Sequence, residues 1–299
     1  MKISKKNIVS VIIFISSLIL LFYFIQKIDI DKFEILILNL NNNWFFLSYL
    51  ICIFQTIINT FKFNLLIKKP VNFKELTNVF FISSLLNFIL PFKLGEIKKI
   101  YLLKKKFKIN YLKNLEIMVV DKIFEISFFI LFSILIFSFW DDIEKIYITL
   151  IIFICIFYLF FLKKLIFFLS KKKIFIFYKI KKIFLNYTIL LANFKKIIYL
   201  NLLLIILTFL HFKVFLYFSD IDNFSILNIV GFVSIISLIG FIPITYNGLG
   251  FREFFILFIF GSILSIEEIM LISIFLISRG IPSAVIGIYF YLNYLIKNK

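Results

Sequence analysis

The chain is 299 residues long, 63% hydrophobic and +18 in formal charge at pH 7, with a mean hydropathy of +1.07, far above that of a soluble globular domain. A soluble core cannot absorb so much apolar sequence, and unbroken apolar runs lack the in/out alternation of a lipid-facing strand, so the expected class is an all-α polytopic integral membrane protein. The basic excess does not point to nucleic acid, because the lysines gather in short loops between apolar blocks, where anionic lipid headgroups are their neighbours. The 45 Phe and the scarcity of arginine look like a genome-wide compositional bias, so a single Lys or Phe carries little information.

Lys2, Lys5 and Lys6 precede the block Ile8 to Ile25, which holds no charged residue and is long enough to cross hydrocarbon as a helix. It lacks a small-residue cleavage site and is predicted to be a retained signal anchor with its amino terminus in the cytoplasm. Asp29, Asp31 and Glu34 follow in a loop expected on the outer face. A second span is predicted from about Trp44 to Leu66. Lysines are then dense from Lys68 to Lys113 on both sides of the apolar stretch Asn78 to Phe92, which is too short to cross comfortably. With basic flanks on both sides, residues 78–100 are expected to form a re-entrant element on the cytoplasmic side, broken at Pro91 and Gly95.

A span from about Leu115 to Trp140 leads to the acidic Asp141, Asp142 and Glu144, expected outside, and Ile146 to Leu162 returns. The lysine-rich segment 163–196 is expected to lie as an amphipathic helix on the cytoplasmic leaflet. Ile197 to Phe218 crosses again towards Asp220 and Asp222. The apolar stretch Ile226 to Ile242 ends at Pro243, and a short apolar run separates Arg252-Glu253 from Glu267-Glu268. Residues 226–266 therefore form a second broken element entering from the opposite side, either re-entrant or crossing. A last span, Ile269 to Ile296, ends in Lys297 and Lys299 inside. The sum is one transmembrane domain over residues 1–299, with about six full spans, two broken elements and both termini cytoplasmic, in the cell membrane.

The chemistry is expected at the two breaks. Asn87, Pro91, Lys93, Gly95 and Glu96 cluster at the tip of the first; Pro243, Asn247, Gly248, Gly250, Arg252 and Glu253 cluster at the second. Glycine lets a chain unwind, and backbone groups freed at membrane depth persist only where protein or water satisfies them. Opposed broken helices are one way to build a polar site near the bilayer midplane. Of the 34 cationic residues only Arg252 and Arg279 are arginine. An arginine kept where lysine is the default suggests planar, bidentate recognition of phosphate or carboxylate. The plainer alternative is that each pairs with an acid, Arg252 with Glu253 or Glu96. Asp121, Lys122 and Glu125 put two acids on one helical face, either capping a polar cavity near Lys93 and Glu96 or sitting at the cytoplasmic interface. His211 is either a proton relay or, more commonly for a lone histidine, a structural residue. Cys52 and Cys155 read as small apolar filler, far from any His or acid cluster.

The run Leu86-Asn87-Phe88-Ile89-Leu90-Pro91-Phe92-Lys93-Leu94-Gly95-Glu96, continuing to Leu103, resembles the lysylphosphatidylglycerol synthase transmembrane-region family, in which a Pro, a basic residue and Gly-Glu precede a basic helix. Asp121-Lys122-Ile123-Phe124-Glu125 looks like that family's Glu-Arg and Asp helix with the acids exchanged and Lys replacing Arg. Asn247-Gly248-Leu249-Gly250-Phe251-Arg252-Glu253 looks like its Gly-Leu-Gly, apolar, Arg-Glu element. The resemblance implies a flippase-like membrane domain, which in fused members moves aminoacylated phosphatidylglycerol between leaflets; with its end at Lys299 the chain is expected to lack the soluble aminoacyl-transferase domain.

The expected function is binding of an anionic phospho- or polyprenyl-linked headgroup and its translocation between leaflets. Arg252 and Lys93 would hold the phosphate, and Glu96 and Glu253 would balance their charge or receive a cationic headgroup. The alternative is a membrane-embedded enzyme or an accessory subunit acting on lipid-linked sugars or envelope lipids. No cofactor or metal is expected, and the sequence has no phosphate-binding loop of the Gly-x4-Gly-Lys-Ser/Thr type. Expected partners are membrane lipids, a separate lipid-modifying enzyme and a second copy of the chain.

Overall fold

The computed structural model describes residues 19, 22–40, 43–67, 71–90, 93–137, 188–219, 221, 225–241, 250–261 and 264–296. The expected spans 8–25 and 146–162, most of the basic segment 163–196, the acidic residues 141, 142, 144, 220 and 222, and Pro91, Cys155, Pro243, Asn247 and Gly248 lie wholly or largely outside them. Among the described residues there are ten helices of nine residues or more and no strand. They are α1 (Ile30–Leu38), α2 (Asn43–Leu66), α3 (Phe73–Ile89), α4 (Leu94–Phe107), α5 (Tyr111–Phe137), α6 (Thr188–Phe218), α7 (Ile226–Phe241), α8 (Phe251–Phe260), α9 (Ile266–Ser278) and α10 (Ile281–Ile296).

Their ends follow local chemistry. Asn72 caps α3 by accepting from the Lys74 N–H at 3.0 Å. Ser265 and Glu268 form a reciprocal capping box at the start of α9. The segment after the first apolar block, expected as a loop, is helical: Asp29 caps α1, and the Lys32 N–H that it accepts holds its carboxyl below the ordinary aspartate range. The Asp29 N–H donates to Glu267 Oε1 at 3.0 Å, tying α1 to the start of α9.

Three segments, Phe46–Leu66, Lys195–Phe218 and Ile266–Ile296, are long and apolar enough to cross a membrane. The last was expected as one uninterrupted span. It is instead interrupted at Arg279-Gly280, because Pro282 has no N–H to give to the carbonyl of Ser278 and its ring crowds the preceding turn. Gly287 lets α10 cross α3 closely, since a Cβ there would collide with the Phe81 carbonyl oxygen.

The interior splits into two apolar clusters. One joins the ends of α6 to α9 through Phe212, Phe232 and the stacked pair Phe215 and Phe275, whose ring centroids are 4.1 Å apart. The other joins α2 to α5 with Ile197 of α6 through Phe63, Leu76, Ile82, Leu103 and Ile117. On α6 the sequence runs from Ile197 in one cluster to Phe212 in the other, a rise of about 22 Å. Outside, large apolar side chains such as Phe54, Ile206, Tyr217, Phe258 and Tyr289 are exposed, as they are on a surface that faces lipid.

Candidate functional site

Between the two clusters lies a cavity of about 480 Å³. The described middle of each apolar span contributes to it: Cys52, Gln55, Thr56 and Asn59 from α2, Leu204 and Thr208 from α6, and Leu276 to Ser283 around the α9–α10 interruption. Of the residues singled out in the sequence, Asn87, Lys93, Glu96, Asp121, Lys122, Glu125, Arg252 and Arg279 all line this one cavity.

The helix breaks beside Pro91 as expected, but the left-handed residue is Lys93 rather than Gly95. Leu90, which precedes Pro91, is extended, as proline requires of its predecessor. Lys93 takes the left-handed backbone at φ 52 that glycine would ordinarily supply, at a cost of about 1–2 kcal/mol. Gly95 is no break: it lies inside α4, where the lack of a Cβ permits contact with the Ser83 carbonyl and Asn87. Asn87 serves as the cap, accepting the Glu96 N–H through Oδ1 at 3.2 Å and donating to Glu96 Oε1 at 3.3 Å. At the second break Gly250 does adopt a positive φ, 79°, at the start of α8.

The first break reaches the end of α7. Lys93 Nζ donates to the Gly240 carbonyl in the last turn of α7 at 2.7 Å, where a helix end presents partial negative charge. Phe241 lies beneath both Lys93 and Lys122, whose ammonium groups stand 5.3 and 5.1 Å from its centroid.

Most charges in and around the cavity are matched. Lys99 pairs with Glu96 at 2.5 Å, Lys122 with Glu125 at 2.7 Å, Lys62 with Asp121 at 2.8 Å, and Arg252 with Glu253 at 3.0 Å. Arg252 also donates to the Ser273 carbonyl, so the plainer of its two expected roles is filled by Glu253 rather than Glu96. Glu253 is fully buried behind the arginine. Two cations have no carboxylate within ion-pair distance among the described residues. Lys93 meets the Gly240 carbonyl and the Phe241 ring, and Arg279 donates to Gln55 Oε1 at 2.8 Å and Thr208 Oγ1 at 3.2 Å. The site thus carries an excess of two positive charges.

Lys62, Lys99, Gln55 and Thr208 were not singled out from the sequence. Lys62 is fully buried and also donates to Asn201 at 3.0 Å; a lysine in the last turns of an apolar block was only a weak signal. His211 is buried against Phe275 and contacts Ser48 Oγ, with Cys52 Sγ 3.7 Å away, so Cys52 lies nearer a histidine than its sequence position suggested. No group of three metal-ligating side chains occurs among the described residues.

A family model described as the lysylphosphatidylglycerol synthase TM region matches residues 7–288. No curated protein matches the chain, and no solved structure does.

Proposed function

The chain belongs to the lysylphosphatidylglycerol synthase transmembrane-region family, and it is a helical membrane protein; from that premise we propose that it binds the anionic headgroup of a lipid in the central cavity and carries it between leaflets. One observation supports this above the others. Around the cavity, four ion pairs leave the half-buried Arg279 and the exposed Lys93 at its mouth without carboxylates among the described residues, and two unmatched cations beside one cavity favour an anion that joins them. Lys93 and Arg279 hold the phosphate in this proposal. Arg252, engaged by Glu253, shapes the wall.

In the same reading the protein sits in the cell membrane with about six full spans and both termini cytoplasmic. Residues 78–100 form a re-entrant element, and residues 226–266 form a second broken element that enters from the opposite side and either re-enters or crosses. It is a transporter rather than an enzyme, and it works beside a separate lipid-modifying enzyme. Movement is downhill or coupled to an ion gradient.

The test is leaflet exchange of headgroup-labelled lipids in proteoliposomes, comparing phosphatidylglycerol with zwitterionic phosphatidylcholine. Exchange of the anionic lipid well above protein-free vesicles, and its loss in Arg279→Gln, is the expected result. Exchange no faster than in protein-free vesicles, or equal for both lipids, overturns the proposal.

A further inference from the structure

Resting on that reading, we infer that the cavity holds a second subsite, for an uncharged hydroxyl-bearing group attached to the phosphate, a glycerol or a sugar. The wall around Arg279 is neutral and polar, built from Gln55, Thr56, Asn59, Thr208 and Ser283. Four of these groups hold helices to one another. Gln55 Nε2 donates to Thr208 Oγ1 at 3.1 Å, and the hydroxyls of Thr56 and Ser283 are 2.7 Å apart. Such pairs are the ordinary polar contacts of packed membrane helices and imply no ligand.

Asn59 differs. It lines the cavity, its Oδ1 is buried with no hydrogen-bond partner, and among the described residues its side chain makes no hydrogen bond at all. An unpaired buried amide oxygen is a standing cost, and the neighbouring Ile57 and Ile58 show that this helix fills positions with apolar side chains where packing is all that is required. Asn59 follows Gln55 by one helical turn, so it shares the face on which Gln55 accepts from Arg279, about 6 Å further along the axis. A phosphate at Arg279 therefore places the next atoms of its headgroup within reach of Asn59.

The missing partner is a hydroxyl rather than an ammonium. Every carboxylate lining the cavity is already ion-paired, Glu96 with Lys99, Asp121 with Lys62 and Glu125 with Lys122, so an added cation finds no free acid. An amide offers both a donor and an acceptor, which suits the dual character of a hydroxyl. Phe88, whose ring packs against Gly280 beside Arg279, adds an apolar face of the kind that covers the C–H surface of a polyol.

The experiment compares exchange of phosphatidylglycerol, phosphatidylpropanol and a polyprenyl hexosyl phosphate in proteoliposomes; the first two share charge and length and differ in headgroup hydroxyls. Wild-type protein is expected to exchange phosphatidylglycerol about fivefold faster than phosphatidylpropanol. Asn59→Ala and Asn59→Leu are expected to bring the ratio to about one by slowing the hydroxylated lipid alone, whereas Arg279→Gln slows both. The hexosyl lipid moving faster than phosphatidylglycerol assigns the subsite to a sugar, and the reverse to glycerol. Equal wild-type rates for the hydroxylated and hydroxyl-free lipids, or a ratio that persists in both Asn59 variants, overturn the subsite while leaving anionic exchange intact. Failure of all three lipids to exchange in wild-type protein overturns the transport reading and the subsite with it.

Discussion

Two arginines face the same cavity, and their surroundings differ in kind. Arg252, 5% exposed, is held by a carboxylate from its own helix and by a backbone carbonyl of α9. Arg279 stands at a helix interruption and donates to the neutral oxygens of Gln55 and Thr208, with no carboxylate in reach among the described residues. Being the scarce cation does not distinguish them; being matched does. A buried ion pair is a closed unit whose removal from one side strands a charge, while an arginine among neutral acceptors keeps attraction in reserve for an anion.

The sharpest way to break this contrast is to truncate each arginine. Arg252→Ala strands Glu253, which is fully buried, and is expected to cost about 3–5 kcal/mol of stability, read as a lower midpoint of unfolding in detergent. Combining Arg252→Met with Glu253→Leu should recover most of that loss; a single variant as stable as wild type would show that the pair is not closed. Lys62→Met acts in the same way on Asp121. Because Asp121 lines the cavity, the cost is expected at about 3 kcal/mol, and Asp121→Leu in the same chain should relieve it.

Arg279→Gln should reverse the pattern. Gln55 and Thr208 still bond to each other, so stability should change by no more than about 1 kcal/mol, while anionic lipid exchange should fall roughly 10- to 100-fold with loss of a charge-assisted contact. Lys93→Gly is the mildest test. Relief of the left-handed backbone offsets the lost bond to Gly240, leaving the unfolding midpoint near that of wild type, and exchange should fall about tenfold. A drop in stability without a drop in exchange, in either variant, would assign these cations to packing.

Much of the helical layout was legible because apolar blocks and their punctuation are local. Helices 43–66 and 226–241 lie close to the blocks read from the sequence, and the first break falls beside Pro91. Arg252 and Arg279 stood out against a lysine background, and both reach the cavity. Lys62 did not stand out, because a few residues from the basic loop at Lys68 it looks like the end of a span. Its partner, Asp121, lies on another helix, and no periodicity in one helix reveals a pairing made by packing. Asn59 was invisible for the same reason, since an unpaired amide is defined by what fails to surround it. The interruption at Arg279 was within reach of the sequence, as Gly280-Ile281-Pro282 inside an apolar block is a helix-breaking signal. The left-handed Lys93 was not, because composition assigns such a backbone to the nearby Gly95.

The position of the cavity along the spans has a kinetic consequence. Hydrocarbon is about 30 Å thick, so if the protein carries a headgroup as proposed, one resting halfway has about 15 Å to travel towards either surface. A stopping place at that depth replaces one tall barrier by two of similar height, and it favours neither exit. The sense of net movement would then be decided outside the protein, by whichever leaflet is supplied with the lipid and whichever consumes it.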